Sequence, residues 1–225
     1  MATPRQAPAR GGVTVRAEPS RAGTLTGGGA TGNELLTTVT GAALLVLLAV
    51  LGVTIIRIGQ LLWLHLFLGM LLIGPLALKL LSTGYRFARY YSGSAAYRRK
   101  GPPPALLRVM GPAVVLSTLI VFASGLGLLF VGPSSRETLL PIHKLTFFVW
   151  LAFVGLHVLI HLPSMLPTLR ADYTRTAGLS SEVTGRSGRT LALAGALVGG
   201  AVLAVLVIPE FGPWIHSAGH FHHRG

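Results

Sequence analysis

Cysteine is absent from this chain of 225 residues. Its absence excludes disulfides, iron–sulfur clusters, covalently attached c-type haem and thiolate chemistry. Charged residues are also scarce, at 11%, whereas 51% of the residues are hydrophobic, a balance that is typical of a membrane protein. Any metal ion must therefore be held by histidine, methionine or carboxylate side chains.

Acidic residues are fewer still, because six Asp and Glu stand against 19 Lys and Arg, for a formal net charge of +13. A nucleic-acid-binding protein would concentrate such charge in one basic domain. Here the basic residues lie between apolar stretches, so we interpret them as topology signals and predict no nucleic-acid partner. The segment 82–107 interleaves arginine with tyrosine, which favours a surface facing anionic lipid at the membrane boundary.

Five apolar stretches are long enough to cross a bilayer as helices, at about 35–56, 61–81, 109–131, 141–162 and 190–208. We therefore predict an all-α integral membrane protein with five transmembrane helices. Residues 34–168 are expected to form a four-helix bundle and 190–208 one additional C-terminal helix. Residues 1–33 are predicted to be a disordered basic tail, 169–189 a connecting loop and 209–225 a His-rich tail.

Local patterns predict where some of these segments end and how they pack. Pro163 and Pro167 are expected to end the fourth span. A GxxxG pattern from Gly195 to Gly199 favours close helix packing in the fifth span. The C-terminal tail has the composition of a weak metal site, although such tails are often merely solvated, and its histidines are His216, His220, His222 and His223.

The distribution of Lys and Arg predicts the orientation in the plasma membrane, because cytoplasmic segments carry an excess of both. With the N-terminus inside, the tail 1–33, the segment 82–107 and the loop 169–189 all face the cytoplasm. The basic residues left on the outer side are then Arg57, Arg136, Lys144 and Arg224. The C-terminus is therefore predicted to lie outside.

The fourth span carries three histidines, His143, His157 and His161, although an ionisable side chain inside a membrane costs a few kcal/mol. At 100° per residue the three share one stripe of the helix. His143 and His157 are about 21 Å apart along the axis, a spacing at which one helix can offer an imidazole to each of two stacked metal centres. The alternative is that these histidines only form hydrogen bonds to neighbouring helices.

Another histidine, His65, lies near the outer start of the second span, and its depth matches that of His143. Both are expected about 8 Å below the outer surface. Two imidazoles facing each other across a bundle are the axial ligands that a b-type haem requires. Gly69, one turn below His65, would leave room for a porphyrin face, and four aromatic residues could line its edges, namely Phe67, Phe147, Phe148 and Trp150.

The run Leu64-His65-Leu66-Phe67-Leu68-Gly69, together with His143 followed by thirteen residues and then His157, resembles a known family. These residues are similar to the membrane cytochrome b subunits of formate dehydrogenase and nickel–iron hydrogenase, of the wider bacterial cytochrome b-561 type. The resemblance covers about residues 35–165. It implies that His65 and His143 ligate the iron of an outer haem and that His157 ligates an inner one.

The chain departs from this family at the inner haem, whose other ligand is a histidine of the first helix. No histidine precedes His65, and Asn33 and Glu34 occupy the corresponding place. We therefore expect one haem b, with a second haem at His157 as the alternative. The family handles quinone near its inner haem, so the resemblance implies a quinone or proton site at His157, His161 and Lys79, although Lys79 is rather expected to extend its ammonium to the membrane boundary.

These observations predict a haem-bearing membrane subunit that transfers electrons between membrane quinone and a redox partner. Because the chain has no cysteine and no nucleotide-binding motif, substrate chemistry would lie in a separate subunit, which the outer haem places on the outer face. A membrane anchor or proton relay without cofactor, in which the histidines are structural, is the alternative. A transporter is less well supported, since no Asp or Glu lies inside a span.

Overall fold

The structure, a computed structural model, describes residues 29–99, 105–174 and 185–221. These ranges are helical and contain no strand. The helices are α1 (Gly29–Ile56), α2 (Ile58–Tyr91), α3 (Ala95–Arg98), α4 (Ala105–Val131), α5 (Arg136–Thr174), α6 (Arg186–Val207) and α7 (Gly212–Phe221), with 3₁₀ turns at Pro133–Ser135 and Ile208–Phe211. Five of them are long and apolar enough to cross a membrane, which confirms the prediction of a multi-pass, all-α membrane protein.

Several helices extend beyond the predicted spans. α1 begins at Gly29, inside the segment assigned to the tail, and α2 continues through the aromatic and basic residues to Tyr91. The helix itself does not end at Pro163 or Pro167, because α5 passes both and ends at Thr174, whereas its candidate membrane-spanning segment ends at Pro167. Each proline removes one backbone hydrogen bond, a loss that transmembrane helices tolerate. Next to the first proline, the Ser164 hydroxyl donates to the His161 carbonyl at 2.9 Å.

Two antiparallel hairpins have their tips at the same end of the molecule. α1 and α2 are joined through Arg57 alone, and α4 turns into α5 through Gly132 and a single 3₁₀ turn. Gly132 has a φ of 86°, which favours glycine because a side chain would be strained there. We call this end of the molecule, which holds His65 and His143, the His65 end, and the opposite end of α1 and α2 the Lys79 end.

The fifth span, α6, packs against α2 as extensively as α1 does. A Cβ atom added at Gly74 would meet the Ala196 carbonyl oxygen, and one added at Gly200 would meet the Leu71 carbonyl oxygen. Nothing lies within 4 Å of a Cβ added at Gly195 or Gly199. The close approach therefore uses Ala196 and Gly200, and the prediction that the Gly195–Gly199 pattern makes this contact is wrong.

The C-terminal segment of the described chain closes the His65 end. Phe211, in the 3₁₀ turn after α6, is buried in a cluster with Met70, Leu129 and Ala204, which come from α2, α4 and α6. The Trp214 indole N–H of α7 donates to the Leu129 carbonyl at 3.4 Å. These contacts hold α2, α4 and α6 together at the level of the candidate site.

Candidate functional site

The His65 imidazole of α2 forms a hydrogen bond with a threonine of α1. Its Nδ1 atom lies 3.0 Å from the Thr54 hydroxyl oxygen, and Thr54 is 1% exposed. The same hydroxyl donates its single hydrogen to the Leu51 carbonyl, at 2.6 Å. Because a carbonyl can only accept, Thr54 is left to accept a hydrogen bond from the Nδ1–H group of His65. The Nε2 atom of His65 then carries a free lone pair.

His143 of α5 repeats this arrangement with a serine of α4. Its Nδ1 atom lies 2.9 Å from the Ser124 hydroxyl, which donates to the Val121 carbonyl, also at 2.9 Å. If Ser124 donates to this carbonyl, the Nδ1–H tautomer of His143 completes the network, and the Val121 carbonyl is also a hydrogen-bond partner of the ring. Thr146 Oγ1 lies 3.0 Å from the Ser124 hydroxyl oxygen and donates to the His143 carbonyl at 3.0 Å.

Gly125 allows the His143 ring to lie against α4. A Cβ atom at this position would be 3.1 Å from Cε1 of His143, which is closer than side chains normally approach. The missing side chain at Gly125 thus admits an imidazole beside α4. Gly127 has nothing within 4 Å of a Cβ.

The two imidazoles come from helices that do not pack directly along their length, since α2 pairs with α1 and α6 whereas α5 pairs mainly with α4. His65 and His143 are nevertheless near enough for their charges to interact. Among the described residues, no group of three or more His, Cys, Asp or Glu side chains could hold a metal ion. Two axial imidazoles are sufficient for a haem, because the porphyrin supplies the other four nitrogen ligands. The donor set therefore fits a haem.

The residues predicted to line a porphyrin differ in how tightly they are packed and in which residues they contact. No other part of the described chain lies within 4 Å of a Cβ at Gly69, so packing does not require glycine there. Phe67 stacks on Trp63, and the buried Trp150 donates its indole N–H to the Thr118 hydroxyl at 3.0 Å. Phe148 is 65% exposed, and its predicted place at a porphyrin edge stays a prediction.

A second polar layer repeats the first at the Lys79 end. Thr40, Lys79 and His157 each stand fourteen residues along their helices from Thr54, His65 and His143 respectively, or about 21 Å. The Lys79 ammonium donates to the Thr37 carbonyl at 2.6 Å, between α1 and α2. It also fills the space beside Gly41, where a Cβ would be 2.9 Å from Nζ. The Lys79 side chain therefore reaches α1, and the expectation that it extends to the membrane boundary stays a prediction.

The hydrogen bonding of this layer differs from that at the His65 end. The rings of His157 and His161 have centroids 4.5 Å apart, and both are near enough to interact electrostatically with Lys79. His157 Nδ1 and Thr40 Oγ1 are buried without a hydrogen-bond partner in the described part of the chain. Asn33, where the resembled family has its histidine, donates from its side chain to the Ser82 carbonyl at 3.0 Å. Asn33 thus links α1 to α2.

The histidines were predicted from the sequence, whereas their hydroxyl partners, Thr54 and Ser124, were not. A signal was present, because Thr54 lies near the end of the first span at the depth of His65. In the C-terminal segment, His216 donates from Nδ1 to the Gly212 carbonyl at 2.6 Å, which occupies that nitrogen within α7. His222 and His223 lie outside the described residues. The same is true of residues 1–28 in the predicted tail and of residues 175–184 in the predicted loop.

The candidate site therefore consists of two layers, of which the one at the His65 end presents two imidazoles with free Nε2 atoms. The layer at the Lys79 end presents an ammonium group, two imidazoles and a buried hydroxyl. Comparison of the chain with protein-family models, with curated proteins and with solved structures finds no match.

Proposed function

We propose that this protein is a membrane-bound b-type cytochrome subunit in which His65 and His143 are the axial ligands of one haem b. The observation that carries the proposal is the matched hydrogen bond at each imidazole, from Nδ1–H to a hydroxyl of the partner helix. This tautomer leaves Nε2 free to bind iron, and metal-ligating histidines almost always donate their other N–H in this way. The resemblance to the cytochrome b-561 type supports the same two residues.

When bound, haem b would supply reversible one-electron chemistry, which no side chain of this chain provides. The roles of the protein residues are to bind and to orient. Thr54 and Ser124 hold the two rings in position, Gly125 admits the His143 ring against α4, and the cluster around Phe211 joins the helices at this end.

The second layer favours a single haem over two. Within the described residues, Nδ1 of His157 has no hydrogen-bond partner, in contrast to Nδ1 of His65 and His143. Opposite it, Lys79 stands where a ligand from α2 would be needed, and its ammonium is committed to the Thr37 carbonyl. The alternative is a second haem at His157. It would require Lys79 to give up its hydrogen bond to the Thr37 carbonyl.

The same layer has the groups needed to bind a quinone and to hold a proton. A quinone carbonyl accepts hydrogen bonds, and Lys79, His161 and the unpaired His157 Nδ1 and Thr40 Oγ1 can provide donors. The chain would then connect quinone at the Lys79 end with a redox partner protein that docks at the His65 end. Arg86, Arg89 and Arg98 are exposed beyond the apolar part of α2, which supports a cytoplasmic Lys79 end and an outer His65 end in the plasma membrane.

The alternative is a membrane anchor or proton relay without cofactor. In that case the bonds from His65 to Thr54 and from His143 to Ser124 are interhelical links, which satisfy buried polar groups and need no metal. The two functions differ in one property, which is the presence of haem.

The decisive experiment is a reduced-minus-oxidised visible spectrum of the detergent-purified protein, with the haem-to-protein ratio, expressed with ample haem. We expect b-type bands at about one haem per chain, lost in His65→Ala and in His143→Ala. His216→Ala, an exposed histidine on α7, is the matched control and should keep the bands. A colourless wild-type protein, or bands that survive both ligand substitutions, would overturn the proposal.

A further inference from the structure

We infer that Thr54 and Ser124 are positioning residues that set the tautomer and the donor strength of the two imidazoles, and so lower the reduction potential of the haem between them. The inference rests on the proposed function, since it concerns the same site. It adds that two hydroxyls from two different helices act on the iron through His65 and His143.

The geometry restricts each hydroxyl to one role. Each oxygen donates to a carbonyl three residues earlier in its own helix, from Thr54 to Leu51 and from Ser124 to Val121. The remaining lone pairs are therefore available to the imidazole. Because Thr54 is almost completely buried, water cannot replace it as the partner of His65.

The effect on the iron follows from the chemistry of imidazole. Donating a hydrogen bond from Nδ1–H increases the electron density at Nε2, which makes the ring a stronger ligand. A stronger donor stabilises ferric iron relative to ferrous iron and lowers the potential. A hydroxyl acts more weakly than a carboxylate in this role.

The two positions are not equivalent. Thr54 is the only hydroxyl found within hydrogen-bond distance of His65 in the described chain. Ser124 has Thr146 next to it, at 3.0 Å, and Thr146 belongs to the same helix as His143. We therefore expect a larger effect from Thr54→Val than from Ser124→Ala, because Thr146 can partly replace the lost serine.

The first measurement needs no haem. In the haem-free protein labelled with ¹⁵N-histidine, ring nitrogen shifts should show the Nδ1–H tautomer at both His65 and His143. Thr54→Val should change the tautomer population at His65 alone, and Ser124→Ala at His143 alone. Unchanged ring shifts in both variants would overturn the inference, whether or not the protein binds haem.

The second measurement is a redox titration of the haem-loaded protein, monitored by its visible bands. Thr54→Val and Ser124→Ala should retain about one haem and shift the midpoint potential upwards, whereas Thr54→Ser should restore the wild-type value. Matched controls are Thr38→Val on α1 and Ser117→Ala on α4, whose hydroxyls donate to backbone carbonyls in the same way without contacting a histidine. Potentials equal to wild type in both test variants would refute the inference.

Different results would overturn the proposed cytochrome function and the role inferred for the two hydroxyls. A wild-type protein without haem would overturn the proposed cytochrome function, while the haem-free tautomer measurement would still decide whether these hydroxyls orient the two imidazoles. A haem-bearing protein whose potential ignores both hydroxyls would leave the cytochrome standing and overturn only the present inference. If Thr54→Val does not fold, Ser124→Ala still tests the inference. Thr54→Ser is the conservative control, because it keeps the hydrogen bond and should leave the potential unchanged.

Discussion

The Nδ1 atom of His65 lies 3.0 Å from the hydroxyl oxygen of Thr54, although the two residues belong to different helices. The bond closes the α1–α2 hairpin near its tip and orients the imidazole at the same time. His143 and Ser124 form the equivalent bond in the α4–α5 hairpin, at 2.9 Å. Each hairpin therefore carries one imidazole that is held by its own partner helix, and both imidazoles lie at the His65 end of the molecule.

Enlarging Gly125 should displace the His143 ring. A Cβ there would be 3.1 Å from Cε1, so Gly125→Ala requires a small shift and Gly125→Val a larger one. We expect Gly125→Val to lower the haem-to-protein ratio, with Gly125→Ala intermediate. Gly127→Ala is the control, because nothing lies within 4 Å of a Cβ at that position. Equal haem content in Gly125→Val and Gly127→Ala would show that His143 does not need this space.

The contact between α2 and α6 should be sensitive to a single methyl group. Gly74→Ala and Gly200→Ala each place a Cβ against a backbone carbonyl of the other helix, which cannot move without separating the helices. We expect each substitution to destabilise the folded protein by about 1–3 kcal/mol, measured by unfolding in detergent. Gly195→Ala and Gly199→Ala should be close to neutral. The opposite ranking would mean that α6 presents its Gly195–Gly199 face to α2.

Replacing Lys79 should impair the reaction with quinol at the Lys79 end and leave haem binding at the His65 end unchanged. Lys79→Met removes the ammonium that donates to Thr37, about 21 Å from the layer that holds His65. We expect the b-type spectrum to be retained while reduction of the haem by a soluble quinol analogue becomes at least several-fold slower. Lys144→Met, an exposed lysine of α5, should change neither property. Wild-type reduction rates in Lys79→Met would exclude this lysine from quinone or proton handling.

The docking of α3 should depend on pH through Tyr97, which is 8% exposed. Burial and the neighbouring Tyr85 raise the pKa of the Tyr97 phenol, and Arg89 and Arg86 lower it by less. Because the folded pKa lies above the ordinary value of about 10, the contribution to stability is complete below that pH and is lost as the pH rises through the folded pKa.

Phenolate absorbance, measured as the difference between wild type and Tyr97→Phe, should therefore titrate above the ordinary range. Tyr97→Phe retains the ring packed against Tyr85 and removes this ionisation, so its α3 should stay docked at higher pH. Arg89→Gln should move the Tyr97 titration further upwards, since it removes a charge that favours the phenolate. A titration at or below the ordinary tyrosine value would contradict the burial of this phenol.

The five spans and the histidine stripe of α5 were predictable from sequence, because both are local properties. Hydropathy over about 20 residues determines whether a segment can cross a bilayer, and a period of 3.6 places residues 143, 157 and 161 on one face whatever surrounds the helix. The prediction that His65 and His143 lie at equal depth rests on the same local reasoning, since antiparallel spans with short connections can be aligned by counting residues. The ends of the helices were less predictable. A proline within a membrane helix need not stop it, because neighbouring helices and side chains can satisfy the backbone groups that lose a hydrogen bond.

The tertiary structure alone decided which side chains meet. Whether Thr54 reaches His65, whether Lys79 turns inwards to Thr37, and whether Gly200 or Gly199 contacts α2 all depend on the rotation of each helix about its axis and on the crossing angles. A rotation by one residue, 100°, exchanges one partner for another without changing the hydropathy of the span. The sequence by itself thus determined a five-span membrane protein with three histidines on one stripe of α5. Helix packing determined that one hydroxyl lies beside His143 of that stripe and another beside His65 of α2.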